Sequence, residues 1–157
     1  MNEKHILSSF DRDLESIQAS VMKMGGLVEQ GLMDAAKALR TRDIELAEAV
    51  RKNDKVVDEL DIGIKSDAAR LLALRSPTAG DLRTVLSVME IASHLERCGD
   101  YAKNMAKRTI AMAGSGEING TLTALGRMSA FVQEMIKDSL DTYIQRDKDK
   151  ALEIIER

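Results

Sequence analysis

Residues 42–108 read RDIELAEAVRKNDKVVDELDIGIKSDAARLLALRSPTAGDLRTVLSVMEIASHLERCGDYAKNMAKR. They form two long runs of helical periodicity broken once, at Ser76-Pro77. In the first run Leu46, Ala49, Val50, Val57, Leu60, Ile64, Ala68, Leu71 and Leu72 make one apolar stripe that runs to about Leu74. The second run carries Leu82, Val85, Leu86, Met89, Ala92, Leu95, Gly99, Ala102, Met105, Ala106 and Ile110 in the same way. Serine caps a helix, and proline suits the first helical position, where its missing N–H is not needed. The stretch therefore predicts two helices folded back on each other about Pro77. One acidic pair, Asp54 and Asp58, lies on the first; another, Glu96 and Asp100, lies on the second. Their midpoints, residues 56 and 98, are each 21 residues from Pro77, so an antiparallel hairpin brings four carboxylates to about the same height.

A third helix is expected upstream, from Ser8 or Ser9 to about Leu39, with Ser9 as N-cap and Asp11 and Asp13 near the positive end of the dipole. Its stripe is Leu14, Ile17, Val21, Met24, Val28, Leu32, Ala35, Ala36 and Leu39. Gly25, Gly26 and Gly31 interrupt it, each at a cost of about 1 kcal/mol against alanine. Close approach of a neighbouring helix accounts for them; a kink is the alternative. Arg40-Thr41-Arg42 is a short connection and Asp43 caps the next helix, with Glu45 behind it in the first turn. Three helices with short connections make an all-α, up-down-up bundle.

Ala113-Gly114-Ser115-Gly116 reads as a linker, after which the pattern restarts. A shift of 104 residues lays Met24, Val28, Asp34, Arg42, Asp43 and Ala47 on Met128, Val132, Asp138, Arg146, Asp147 and Ala151. The same shift lays Leu27 on Phe131, Leu32 on Ile136 and Val50 on Ile154. The expected organisation is a first repeat over 1–113, a linker over 114–120 and an incomplete second repeat over 121–157, which stops before the position matching Asp54. Two helices of a three-helix unit leave an apolar stripe uncovered. Residues 121–157 are therefore expected to be poorly packed or paired with another chain, by domain swapping for example.

Composition excludes several classes. Hydrophobic residues are 44%, aromatic 3% and charged 31%, with one proline and no tryptophan, the signature of long helices. A net charge of −3 with no basic, aromatic-interleaved block argues against nucleic acid as partner. One cysteine allows no disulfide within the chain, and a cytosolic setting fits. No apolar run reaches the 18 residues of a membrane span, and the opening residues do not form a secretory signal. No Ser/His/acid constellation or phosphate-cradling glycine loop is visible, and Gly25-Gly26 is not followed by Gly-Lys-Ser/Thr.

The carboxylates carry the remaining chemistry. Acidic residues four apart share a helix face, but chance alone gives about four such pairs here, and five occur, so only the equal distance from the turn marks these two. Asp61 extends the first stripe by a turn and Asn104 the second, and both are candidate additional ligands. Like charges at ~4 Å repel by roughly 4 kcal/mol per pair at an effective dielectric of 20. A hard cation such as Mg²⁺, Mn²⁺ or iron relieves this, and so does pairing with Arg51, Arg97, Lys55, Lys65 or Lys103. His94 and Cys98 supply only half a zinc site, and Cys98 suits the apolar face as a small core residue. Asp81 in the first turn complements the dipole and is placed to pair with Arg70 or Arg75.

His5-Ile6-x-x-Ser9-Phe10-Asp11, Arg42-Asp43, Asp54-x-x-x-Asp58, Pro77-x-Ala79-x-Asp81-Leu82-Arg83 and Leu95-Glu96-Arg97-x-Gly99-Asp100 together resemble the PhoU family. The resemblance covers the first repeat and the second as far as Arg157. It implies tandem three-helix bundles whose acidic motifs hold metal ions (iron, manganese, magnesium or zinc), here at Asp54, Asp58, Glu96 and Asp100. It implies a regulator and not an enzyme: a cytoplasmic protein at the inner membrane that restrains the phosphate-starvation response. Its implied partners are the phosphate transporter's ATPase subunit, a membrane sensor histidine kinase and a second copy. His94 departs from the pattern, standing where an acidic residue is common. Two other readings stay open. One is a structural interaction module with a solvated acidic face. The other is a carboxylate-bridged metalloenzyme, disfavoured because neither histidine is three after a glutamate.

Overall fold

The computed structural model describes residues 3–75, 77–114 and 121–157. Among them the chain forms five helices and no strand: α1 (Glu3–Thr41), α2 (Ile44–Leu74), α3 (Ala79–Ala111), α4 (Thr121–Gln145) and α5 (Lys148–Ile155). The first three pack pairwise as the up-down-up bundle. Their core is the predicted stripes: Ile17, Val21, Met24, Val28 and Ala35 of α1 meet Val50, Val57, Ile64, Ala68 and Leu71 of α2. Val85, Val88, Ala92, Leu95, Ala102 and Ala106 of α3 close it. Burial of each large aliphatic side chain here stabilises by roughly 1.5–3 kcal/mol.

Two helix starts differ from expectation. Ser9 lies inside α1, which already runs from Glu3. Ser76 lies outside the described residues, and Pro77 precedes the helix without entering it. The cap of α3 is Thr78, whose hydroxyl accepts from the Asp81 N–H while the Asp81 carboxylate accepts from the Thr78 N–H. That capping box satisfies two otherwise orphaned donors. It takes Asp81 away from the arginines: Arg70 pairs with Asp67 of its own helix, and Arg75 reaches Asp13 of α1.

The two turns 104 residues apart share one geometry. Arg42 and Arg146 have φ of 56° and 54°, the left-handed conformation that ends a helix. The next residue caps: Asp43 accepts from Leu46 N–H at 2.9 Å, and Asp147 from Lys150 N–H at 3.0 Å. The linker residues 115–120 lie outside the described part.

The helix α4 packs along α1, and α5 packs on α4. The approach of α4 falls at a glycine. A Cβ on Gly25 would run into the Leu140 side chain, so any larger residue here forces that leucine to shift. Gln18 donates to the Tyr143 hydroxyl across the same seam at 3.1 Å. Arg157 ties α5 to α4 through Asp138 at 2.7 Å. Much of α4 is uncovered, as anticipated. Met128, matching the fully buried Met24, is 63% exposed, and Val132, matching Val28, is 43% exposed.

Candidate functional site: a carboxylate seam between α2 and α3

The helices α2 and α3 run antiparallel and touch closely because α3 has no side chain at Gly99. A Cβ there would lie 3.3 Å from Val57 Cγ1 and 3.7 Å from Asp54 Oδ1. With the Lys103–Asp54 ion pair, this contact lays Asp54, Asp58 and Asp61 of α2 alongside Glu96 and Asp100 of α3.

The seam is deep at two points. Asp54 and Asp61 are buried, at 6% and 8% exposure, and Asp58, Glu96 and Asp100 are half-buried above them. Buried carboxylates need partners, and lysines supply them. Lys103 of α3 reaches across to the Asp54 carboxylate and also meets Asp100 Oδ1 at 3.3 Å. Lys65 meets Asp61 Oδ2 at 2.6 Å. Of the five cations open to this role, Arg51 instead pairs with Glu48 on an exposed face. The pairing is incomplete: Asp61 Oδ1 is buried with no hydrogen-bond partner.

The acids feel one another. Burial raises the Asp58 carboxyl above its ordinary value, and the charges of Asp54, Asp100 and Asp61 add to this while Lys103 opposes it. Burial likewise raises Glu96, with Asp100, Asp61 and Asp58 adding and Lys65 opposing. Lys103 is raised by its contact with Asp54, against its own burial, and further by its hydrogen bond to Asp100.

The structure thus lines Asp54, Asp58, Glu96, Asp100 and the additional candidate Asp61 along one seam, near enough for their charges to interact. It does not bring in Asn104, which lines the groove between α1, α3 and α4 beside Tyr101, Met105 and Arg108. Cys98 lies in that groove as well, half-buried, with its thiol pushed up by burial, and His94 is exposed on α3. As placed, no three His, Cys, Asp or Glu side chains among the described residues are grouped so as to hold an ion. The donor set nonetheless suits a hard cation. All five acids offer oxygen, Asp61 Oδ1 is unsatisfied, and two lysines against five carboxylates leave three formal negative charges. Lys103, which the sequence offered only as one of five partners, already contacts Asp54 and Asp100.

An all-helical bundle whose concentrated chemistry is a carboxylate seam between its second and third helices is the class of protein that fold and site define. The family model for the PhoU domain matches residues 21–109. The chain is 38% identical, over all 157 residues, to the phosphate-specific transport system accessory protein PhoU homolog of Rhizobium meliloti, and covers 66% of that protein. It is 38% identical to the accessory protein PhoU of Escherichia coli over 96% of this chain and 62% of that one. Among solved structures, PhoU from Pseudomonas aeruginosa superimposes with a TM-score of 0.88 at 35% identity, covering 92% of this chain and 69% of that chain. The phosphate transport system regulatory protein PhoU from Streptococcus pneumoniae gives 0.84 at 31% identity, covering 94% and 69%. The chain belongs to the PhoU family, and spans about two thirds of the length of the curated relatives it matches.

Proposed function

We propose that this protein is a non-catalytic regulatory accessory of bacterial phosphate uptake. It restrains the phosphate-starvation response by contacting the transporter's ATPase subunit and a membrane sensor histidine kinase. It works in the cytoplasm, at the inner membrane through these partners, and as a homodimer. Among the described residues, no helix is long and apolar enough to cross a membrane. The observation that supports this most is similarity over the whole of this chain, and about two thirds of the relatives' length, to phosphate-transport accessory proteins of the same fold. Residues 1–113 and 121–157 act as a first repeat and part of a second, in keeping with the shared turns at Arg42 and Arg146.

In this reading Asp54, Asp58, Asp61, Glu96 and Asp100 hold a hard divalent cation, which would cross-link α2 and α3 through oxygen donors. A second reading is favoured by the lysine pairs themselves: a seam neutralised by Lys65 and Lys103 that serves stability only.

The test is repression. In a bacterium lacking its own accessory regulator, the chain should lower a phosphate-starvation reporter in phosphate-rich medium and co-purify with the transporter ATPase. Full reporter activity together with no co-purification would dismiss the regulatory reading.

A further inference from the structure

We infer that Lys103 is a resident counter-cation that competes with a divalent ion for Asp54 and Asp100, so that metal enters the seam only as this ammonium leaves. The inference rests on the carboxylate-site reading above and adds to it what controls occupancy.

Three observations carry it. First, Lys103 is the only described side chain that ion-pairs with both helices of the seam, meeting Asp54 of α2 and Asp100 of α3. Those two carboxylates are the ones a bridging ion would also need. Second, its hold is the kind that can be exchanged. Lysine is a point charge on a flexible four-carbon stem, without the bidentate fork of arginine. Its side chain is 27% exposed and so borders solvent, whereas the Asp54 side chain is only 4% exposed. Third, the exchange must be one for one. Lys103 leaving alone would strand a buried carboxylate, which is strongly unfavourable. A divalent ion arriving alone would meet an ammonium on its two bridging ligands. Each cation therefore excludes the other, and apparent metal affinity is the intrinsic affinity multiplied by the fraction of protein in which Lys103 is unseated.

Lys65 does not play the same part. It pairs with Asp61, four residues away on its own helix, and so does not span the seam.

The experiment is Mn²⁺ titration of the whole chain by calorimetry and electron paramagnetic resonance. Wild type is compared with Lys103→Met and with Asp58→Asn/Asp100→Asn. In parallel, amine acylation read by mass spectrometry follows Lys103 in the wild type. Lys103→Met should bind Mn²⁺ at least tenfold more tightly than wild type. Lys103 should be acylated several-fold faster once Mn²⁺ saturates the protein. Equal affinities and an unchanged labelling rate, with Mn²⁺ still bound and lost in the double variant, would overturn the competition and leave the carboxylate site standing. No Mn²⁺ binding by wild type or Lys103→Met would remove the site reading and the competition with it. Circular dichroism checks each variant. Should Lys103→Met fail to fold, wild-type labelling and Lys103→Gln decide.

Discussion

Arg42 and Arg146, 104 residues apart, close their helices with the same left-handed backbone, φ 56° and 54°, and each hands the chain to an aspartate that caps the next helix. An L side chain in this conformation costs roughly 1–2 kcal/mol, and glycine avoids the cost. Arg146→Gly should therefore steady the α4–α5 turn by up to about 1 kcal/mol, offset in part by the freer unfolded chain. Slower amide exchange in α5 is the expected readout. Asp43→Ala should go the other way, costing about 1 kcal/mol of stability in urea denaturation, because the Leu46 N–H loses its acceptor.

The contact between Gly25 and Leu140 predicts a coupling. Gly25→Val should cost about 1–3 kcal/mol by overpacking and speed exchange in α4 while α2 stays protected. Adding Leu140→Ala removes the clashing atoms, so the double variant should lose less than the two single changes together. Gly31→Ala is the control. Its Cβ would make only an ordinary 3.8 Å contact with Ala102, and the change should be neutral or stabilising by up to about 1 kcal/mol. Strict additivity of Gly25→Val and Leu140→Ala would rule out the contact as the reason for the glycine.

Much of the bundle was legible because helix stops and stripes are local. Asp43, Leu74 and the core positions follow from spacing and capping chemistry within a few residues. The cap of α3 was not, since Ser76, Pro77 and Thr78 all suit a helix start and only the backbone shows that Asp81 closes on Thr78. The level of the four carboxylates could be counted from Pro77. Which cation neutralises them could not, because five lysines and arginines flank the stripe and their choice depends on rotation about the helix axis. The same rotation sends Asn104, four after Asp100, toward α1 and α4. Gly25 is legible as a close approach, but not as an approach by α4.

The raised carboxyls of Asp58 and Glu96 fix the sign of a pH effect. A group whose folded pKa exceeds its unfolded one binds its proton more readily when folded, so its contribution to stability grows as pH falls through the folded pKa and is lost as pH rises through it. From neutrality down toward the ordinary carboxylate range, these two groups should add stability on acidification. At pH 7, Asp58→Asn and Glu96→Gln should each stabilise the metal-free protein by a few tenths of a kcal/mol, the modest size reflecting partial exposure. The advantage should vanish near pH 4. Thermal melting across that range is the measurement, and destabilisation by both changes at pH 7 in chelator would show that the charges are held by attraction and not under mutual repulsion.

Saturating Mn²⁺ should reverse that sign, and this decides between the two readings of the seam. If the five carboxylates take a cation, the acids become ligands, and the changes that helped in chelator now remove binding energy. An ion that binds only the folded chain adds RT ln(1 + [L]/Kd), about 2.7 kcal/mol at a hundredfold excess over Kd. Wild type should then melt several degrees higher in Mn²⁺ than in chelator, while Asp58→Ala/Asp100→Ala should not respond. Elemental analysis of the two purified proteins should find stoichiometric metal in the first alone. Equal melting temperatures and no metal in either would mean that Lys65 and Lys103 are the cations this seam was built around, and that its three remaining negative charges face solvent or a partner.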